Sequence, residues 1–217
     1  MLDKNYDAFL FDMDGTLINS VPAAERVWGA WARAHGLDVE AFLPTIHGVR
    51  AIETIRNLNL PGVDPEEEVR KLTAAEFQDV AGIEPIPGAA RFLAMLPPER
   101  WAIVTSAPRH LAFKRMAIAG LPRPDIVVTA EDVDRGKPAP DCFVLAATQL
   151  GFDAARCLVF EDAIAGIRAA EAAGAEVAVV TTTHRHAMDT RHLKFGCYDK
   201  LVVEATGSGL RLTRSTR

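Results

Sequence analysis

Ala8-Phe9-Leu10-Phe11-Asp12-Met13-Asp14-Gly15-Thr16-Leu17 decides how the rest of the chain is read. An apolar run passes straight into two carboxylates and a glycine, the pattern of a buried strand that ends in a charged loop. Burying unpaired charge is costly, so two acids at such a strand end imply a counter-ion. Residues two apart on an extended chain point to the same side, about 6–7 Å apart. That spacing suits one metal ion held between a nucleophilic carboxylate and a second acid free for proton transfer. The same letters also read as a plain strand-to-turn transition with Asp14-Gly15 as the turn. The signals downstream decide between the two.

The 217 residues are enough for one large domain, or for a core with a small insertion. Hydrophobic residues make up 49% and charged residues 24%, the balance of a globular chain and not a disordered one. A formal net charge of -5 speaks against a general nucleic-acid binder, though it leaves room for a local phosphate pocket. Cys142, Cys157 and Cys197 are odd in number and lack metal-ligand spacing, so they read as reduced thiols. Met1 to Asp7 carries Asp3, Lys4 and Asp7, with no apolar signal-peptide core, and no stretch approaches a membrane span. The expected setting is the cytoplasm, with neither nucleic acid nor membrane as partner.

Between residues 19 and 84 the apolar spacing is helical throughout. Val27, Trp28, Trp31 and Ala32 share one stripe, and Ile52, Ile55 and Leu58 another. Asp64-Pro65 followed by Glu66, Glu67 and Glu68 opens a further helix, continued by Val69, Leu72, Phe77 and Val80. After Pro87-Gly88 the pattern alternates. Strands are expected at 101–105, 126–129, 157–160 and 177–180. Helices are expected at 108–119, 138–150 and 164–173. Alternation of this kind implies an α/β fold with a parallel sheet covered on both faces. In such sheets the ligand lies at the carboxyl ends of the strands. The sequence thus divides into a core, 1–18 and 85–217, and an all-helical insertion, 19–84.

Three further signals fall just after strands. Thr105 and Ser106 end theirs with hydroxyls, which either donate to a phosphoryl oxygen or cap the helix beginning at Pro108. Lys137, in Arg135-Gly136-Lys137-Pro138-Ala139-Pro140, is pushed toward an extended backbone by the following proline. It reads as a fixed ammonium for phosphate or as a solvated surface lysine. Glu161 and Asp162 follow Leu158-Val159-Phe160 and offer the oxygen-only ligands that magnesium prefers, while Asp162 also suits a helix cap.

Taken in order, these motifs resemble the haloacid dehalogenase superfamily phosphohydrolases over nearly the whole chain. The resemblance implies a Rossmann-like core with a helical cap inserted after the first strand. It implies Asp12 as nucleophile, Asp14 as acid and base, and Mg2+ held by Asp12, Glu161, Asp162 and the backbone carbonyl of Asp14. Thr105, the Ser106 amide and Lys137 would bind the transferring phosphoryl group. Dehalogenases lack the second acid of the first motif, so Asp14 points to phosphate chemistry.

Thr45-Ile46-His47-Gly48-Val49-Arg50, ahead of Glu53, places a polar glycine loop at a helix N-terminus, a ready anion or hydroxyl site. Together with Ala23 to Trp28, Pro87-Gly88-Ala89 and Trp101 to Ser106, it is similar to the sugar-phosphatase subgroup, including 2-deoxyglucose-6-phosphate and glycerol-phosphate phosphatases. The substrate expected is a small phosphorylated sugar or polyol, met by His47, Gly48, Arg50 and Glu53, in a monomer or weak dimer. A β-phosphoglucomutase-like mutase is the nearest alternative, disfavoured because the cap loop lacks an extra residue between Gly48-Val49 and the arginine. A non-catalytic phosphate sensor on the same fold is the alternative of another class. Ile164 stands where many relatives carry proline. Beyond a strand at Leu201-Val202-Val203, the tail with Arg211, Arg214 and Arg217 is expected to fray. His184, His186 and His192 imply no ligand geometry.

Overall fold

After a short strand β1 (Asn5–Tyr6), the opening apolar run forms β2 (Phe9–Phe11) in a computed structural model that describes residues 4–214. A ribbon of β3 (Ile18–Asn19) and β4 (Glu84–Pro85) brackets four helices: α1 (Val21–Ala34), α2 (Val39–Phe42), α3 (Ala51–Leu58) and α4 (Pro65–Gln78). The chain then alternates through α5 (Ala89–Leu93), β5 (Trp101–Val104), α6 (Arg109–Ile118), β6 (Ile126–Val128), α7 (Asp141–Gln149), β7 (Leu158–Glu161), α8 (Ile164–Ala172) and β8 (Glu176–Val180). It closes with β9 (Leu193–Phe195), β10 (Leu201–Thr206) and β11 (Gly209–Arg214).

The six-stranded sheet runs β6-β5-β2-β7-β8-β9, parallel throughout. Successive side chains point to opposite faces. Phe9 and Phe11 therefore pack with Phe92, Phe160 and Tyr198 on one side, and Leu10 with Ala102, Val104, Val159 and Val177 on the other. Phe11 stacks on Phe160 with ring centroids 4.5 Å apart and meets Trp101 edge-on. Those contacts hold β2 between β5 and β7, so the carboxyl ends of all three lie together. The chain is the α/β, Rossmann-like architecture that the alternation implies.

The helical stretch has its own apolar cluster of Trp28, Trp31, Ala32, Phe42, Ile46, Ile55 and Leu72. Its helices start where the local chemistry starts them. Asp64 accepts from the backbone N–H of Glu66 and Glu67, Pro65 occupies the first turn, and three glutamates there meet the positive end of the helix dipole. Asp38 caps α2 in the same way. Asn19 and Glu84, expected within the all-helical insertion, belong instead to the ribbon, whose two-residue strands are too short to show a period.

Two further expectations are corrected. The helix expected from Pro138 begins at Asp141, because Pro138 to Pro140 form the turn that leads into it. The frayed tail is a strand: β11 pairs antiparallel with β10 from Leu201↔Arg214 to Thr206↔Gly209, and with β1 at Asn5↔Arg211. Leu210 and Leu212 are fully buried, while Arg211 and Arg214 sit between and beyond them. Alternation, not basic content, was the informative signal. Arg217 and Met1 to Asp3 lie outside the described residues.

Candidate active site

β2, β5 and β7 end side by side, and the backbone N–H of Asp12 donates to the Phe160 carbonyl at 2.9 Å. Lys137 is 1% exposed, so it is not a surface lysine. Its Nζ donates to Asp12 Oδ1 at 2.6 Å, Glu161 Oε1 at 2.8 Å and the Val104 carbonyl at 3.3 Å, joining all three strand ends. The second Glu161 oxygen accepts from the N–H groups of Asp162 and Ala163, each at 2.7 Å. Asp162 accepts from Thr16 Oγ1 at 3.1 Å. It does not cap α8, whose capping residue is Ala163.

Carboxylate oxygens of Asp12, Glu161 and Asp162 lie within 4.8 Å of one another, all three residues buried. One ammonium does not balance three carboxylates. Burial pushes the Asp12 carboxyl up to about 7, opposed by Lys137 and reinforced by Glu161 and Asp14. Burial likewise holds Asp162 well above the usual carboxylate range, with Glu161 and Asp12 adding to it. An all-oxygen, electron-rich, negatively charged nest fits a hard divalent cation such as Mg2+. Two glycines make room for it. Gly15 has φ +91°, and a Cβ there would fall within the Asp162 carboxylate. A Cβ on Gly166 would fall within that of Glu161.

The Asp14 carboxylate faces the adjoining cleft, where Oδ1 accepts from Ser20 Oγ at 2.5 Å and Arg115 Nη1 at 2.9 Å. It stands outside the three-carboxylate cluster, so the metal contact expected of Asp14 falls to its backbone carbonyl alone. The cleft also takes in Thr105, Ser106, His47 and Gly48. Thr105 Oγ1 accepts from the Ala107 N–H at 3.1 Å, and Ser106 Oγ donates to the Gly48 carbonyl at 2.9 Å. Neither caps α6, whose Arg109 N–H is met by the Glu131 carboxylate. His47 Nε2 lies 3.6 Å from Glu25 Oε1, and burial, opposed by Glu25, pulls the imidazole pKa down.

Arg50 and Glu53 are placed elsewhere than expected. Arg50 donates to the carbonyls of Ala130 at 3.3 Å, Val133 at 2.8 Å and Asp134 at 2.7 Å. Glu53 accepts from Arg50 Nη2 at 2.6 Å and the Gly136 N–H at 3.1 Å. Both leave the cleft because this loop offers a row of free carbonyls opposite the guanidinium. His184 Nε2 is 2.8 Å from the Asp162 carbonyl, whereas His192 lies against Glu171 at 3.0 Å. Among the described residues these histidines form no metal-ligating group.

Sequence reading missed Arg115, Glu76 and Ser20, all of which line the cleft. A signal existed for Arg115: it sits among Leu111, Ala112 and Met116 on the buried face of α6, where an exposed arginine does not belong.

The profile of the haloacid dehalogenase-like hydrolases matches residues 6–174. Hexitol phosphatase A of Escherichia coli (strain K12) is 46% identical over 176 residues, covering 79% of this chain and 82% of its own. Glycerol-1-phosphate phosphohydrolase 1 of Saccharomyces cerevisiae is 36% identical over 195 residues, covering 84% and 77%. A solved hydrolase from Pseudomonas syringae has a TM-score of 0.72 at 28% identity, covering 81% of this chain and 84% of its own.

Proposed function

We propose that this chain, which belongs to the haloacid dehalogenase-like hydrolases, is a Mg2+-dependent phosphatase of small sugar or polyol phosphate monoesters. Relatives named as phosphatases of hexitol and glycerol phosphates support phosphoric monoester hydrolysis over the mutase. The observation that carries the reading is the buried Asp12–Glu161–Asp162 cluster with Lys137, opening onto a cleft that presents Asp14, Thr105 and Ser106.

Asp12 attacks phosphorus in line, forming the aspartyl-phosphate as the ester oxygen leaves. Asp14 gives that oxygen its proton, then takes one from the water that hydrolyses the intermediate and regenerates Asp12. Lys137, Thr105 and the Ser106 amide spread the charge of the transferring group. Asp12, Glu161, Asp162 and the Asp14 carbonyl would hold Mg2+, whose charge lets an anionic phosphate approach an anionic carboxylate. Residues 19–84 act as the cap over a core of 1–18 and 85–217. His47 and Gly48 face the substrate, while Arg50 and Glu53 hold the cap against the core. A cytoplasmic setting fits the three unpaired cysteines. No helix of the described residues is long and apolar enough to cross a membrane.

The test is phosphate release from a panel of sugar, polyol and nucleotide monophosphates with Mg2+, with EDTA and Asp12→Asn as controls. Turnover lost in both controls is the expected result. Turnover retained by Asp12→Asn would rule out the aspartyl-phosphate. No turnover with any substrate would favour the mutase or the sensor, which an assay of isomer interconversion separates.

A further inference from the structure

Arg115 and Glu76 meet on the lining of the cleft, one from α6 and one from α4. The Arg115 side chain is 5% exposed. Its Nη1 donates to Asp14 at 2.9 Å and its Nη2 to Glu76 Oε1 at 3.1 Å, while its buried Nε has no partner among the described residues. Glu76 is itself pushed up by burial, with Arg115 and the Trp28 indole favouring its charge. Apart from Asp12, whose ammonium partner is Lys137, the charges on the lining are those of Arg115, Asp14 and Glu76. His47 is held toward neutrality by burial. This wall therefore has no surplus positive charge. It sets the Arg115 guanidinium beside the Glu76 carboxylate, a donor group next to an acceptor, the complement of neighbouring hydroxyls. A second carboxylate or phosphate would instead meet Glu76 as a like charge.

We propose that Arg115 and Glu76 read the leaving group, accepting uncharged polyhydroxyl groups and rejecting those that bear a second anion. This rests on the phosphatase reading above. It assigns a specificity role to residues of the cap–core contact that lie outside the phosphoryl-transfer motifs.

The experiment measures kcat and KM of wild type, Glu76→Gln, Arg115→Lys and Arg115→Met with Mg2+ on sorbitol 6-phosphate, phosphoglycolate and p-nitrophenyl phosphate. Wild type should prefer the polyol ester. Glu76→Gln should lower the ratio of kcat/KM for sorbitol 6-phosphate over phosphoglycolate by about tenfold, mainly through KM. Arg115→Lys should raise KM more on sorbitol 6-phosphate than on p-nitrophenyl phosphate, which offers no hydroxyl, whereas a disturbed Asp14 would show in kcat. Arg115→Met should do the same where it folds, and the isosteric Glu76→Gln carries the test where it does not. Equal losses on all three substrates, or ratios moved less than about twofold, would overturn the proposal and leave the phosphatase reading standing. Wild type inactive on all three would overturn both.

Discussion

Lys137 and Glu161 are fixed by each other and by the ends of three strands, so single atoms here have large effects. Glu161 is held at both oxygens, by Lys137 on one and by two backbone N–H groups on the other. It cannot swing aside for a methyl group on Gly166. Gly166→Ala is therefore expected to reduce Mg2+ affinity or turnover about 10- to 100-fold, checked by titrating Mg2+ against phosphate release. Lys137→Met leaves three buried carboxylates without their ammonium. Removing one partner of a buried ion pair costs about 3–5 kcal/mol. Urea denaturation in EDTA should show a loss of that order, reduced when Mg2+ is added. At this scale the core motifs were legible because apolar runs stop at Asp12, Thr105 and Glu161, and polar residues at buried strand ends are conspicuous. Glu76 was not, since it is one of several charges along α4 and only the packing of α4 against α6 brings it to Arg115, whose one signal was its place on the apolar face of its helix.

Between elements, Arg50 and Glu53 tie α3 to the loop that presents Lys137. Their residue types and loop context read as a ligand site, because a polar glycine loop before a helix is the usual anion-binding pattern. Nothing in that stretch shows that the carbonyls of Ala130, Val133 and Asp134 lie opposite it. Arg50→Ala removes donors from all three carbonyls and strands the Glu53 carboxylate beside Gly136. A net cost of about 1.5–3 kcal/mol is expected, since charged hydrogen bonds are lost. Thermal unfolding checks it, and an unchanged midpoint would return Arg50 to the substrate-binding role. The β10–β11 pair was obscured for another reason. Its outward arginines look like a solvated tail, and the inward Leu210 and Leu212 show only when every second residue is considered.

For the whole molecule, the layered plan was legible because both faces of a parallel sheet must be covered, which forces continuous apolar strands and intervening helices. The same closed packing makes stability depend on pH through the buried acids. Asp12, raised from 3.8 to about 7, and Asp162, also raised, hold protons in the folded state that the unfolded chain has already released near pH 4. Their contribution is present in full below the unfolded value and is lost as pH rises through about 7. Surface acids work in the opposite sense. Asp7 is held low by its hydrogen bond from Arg156 and Asp79 by that from Arg26, so their contribution is lost only as pH falls below the ordinary 3.8. Without metal, stability should therefore decline from about pH 5.5 to pH 8. A divalent cation binds the ionised carboxylates, so protons compete with it at the lower pH. The rise in Tm on adding Mg2+ should thus be larger at pH 8 than at pH 5.5. Thermal unfolding in EDTA and in Mg2+ at both values decides it. A shift independent of pH would mean that the cation binds somewhere other than Asp12, Glu161 and Asp162, and the buried acids would then need another explanation.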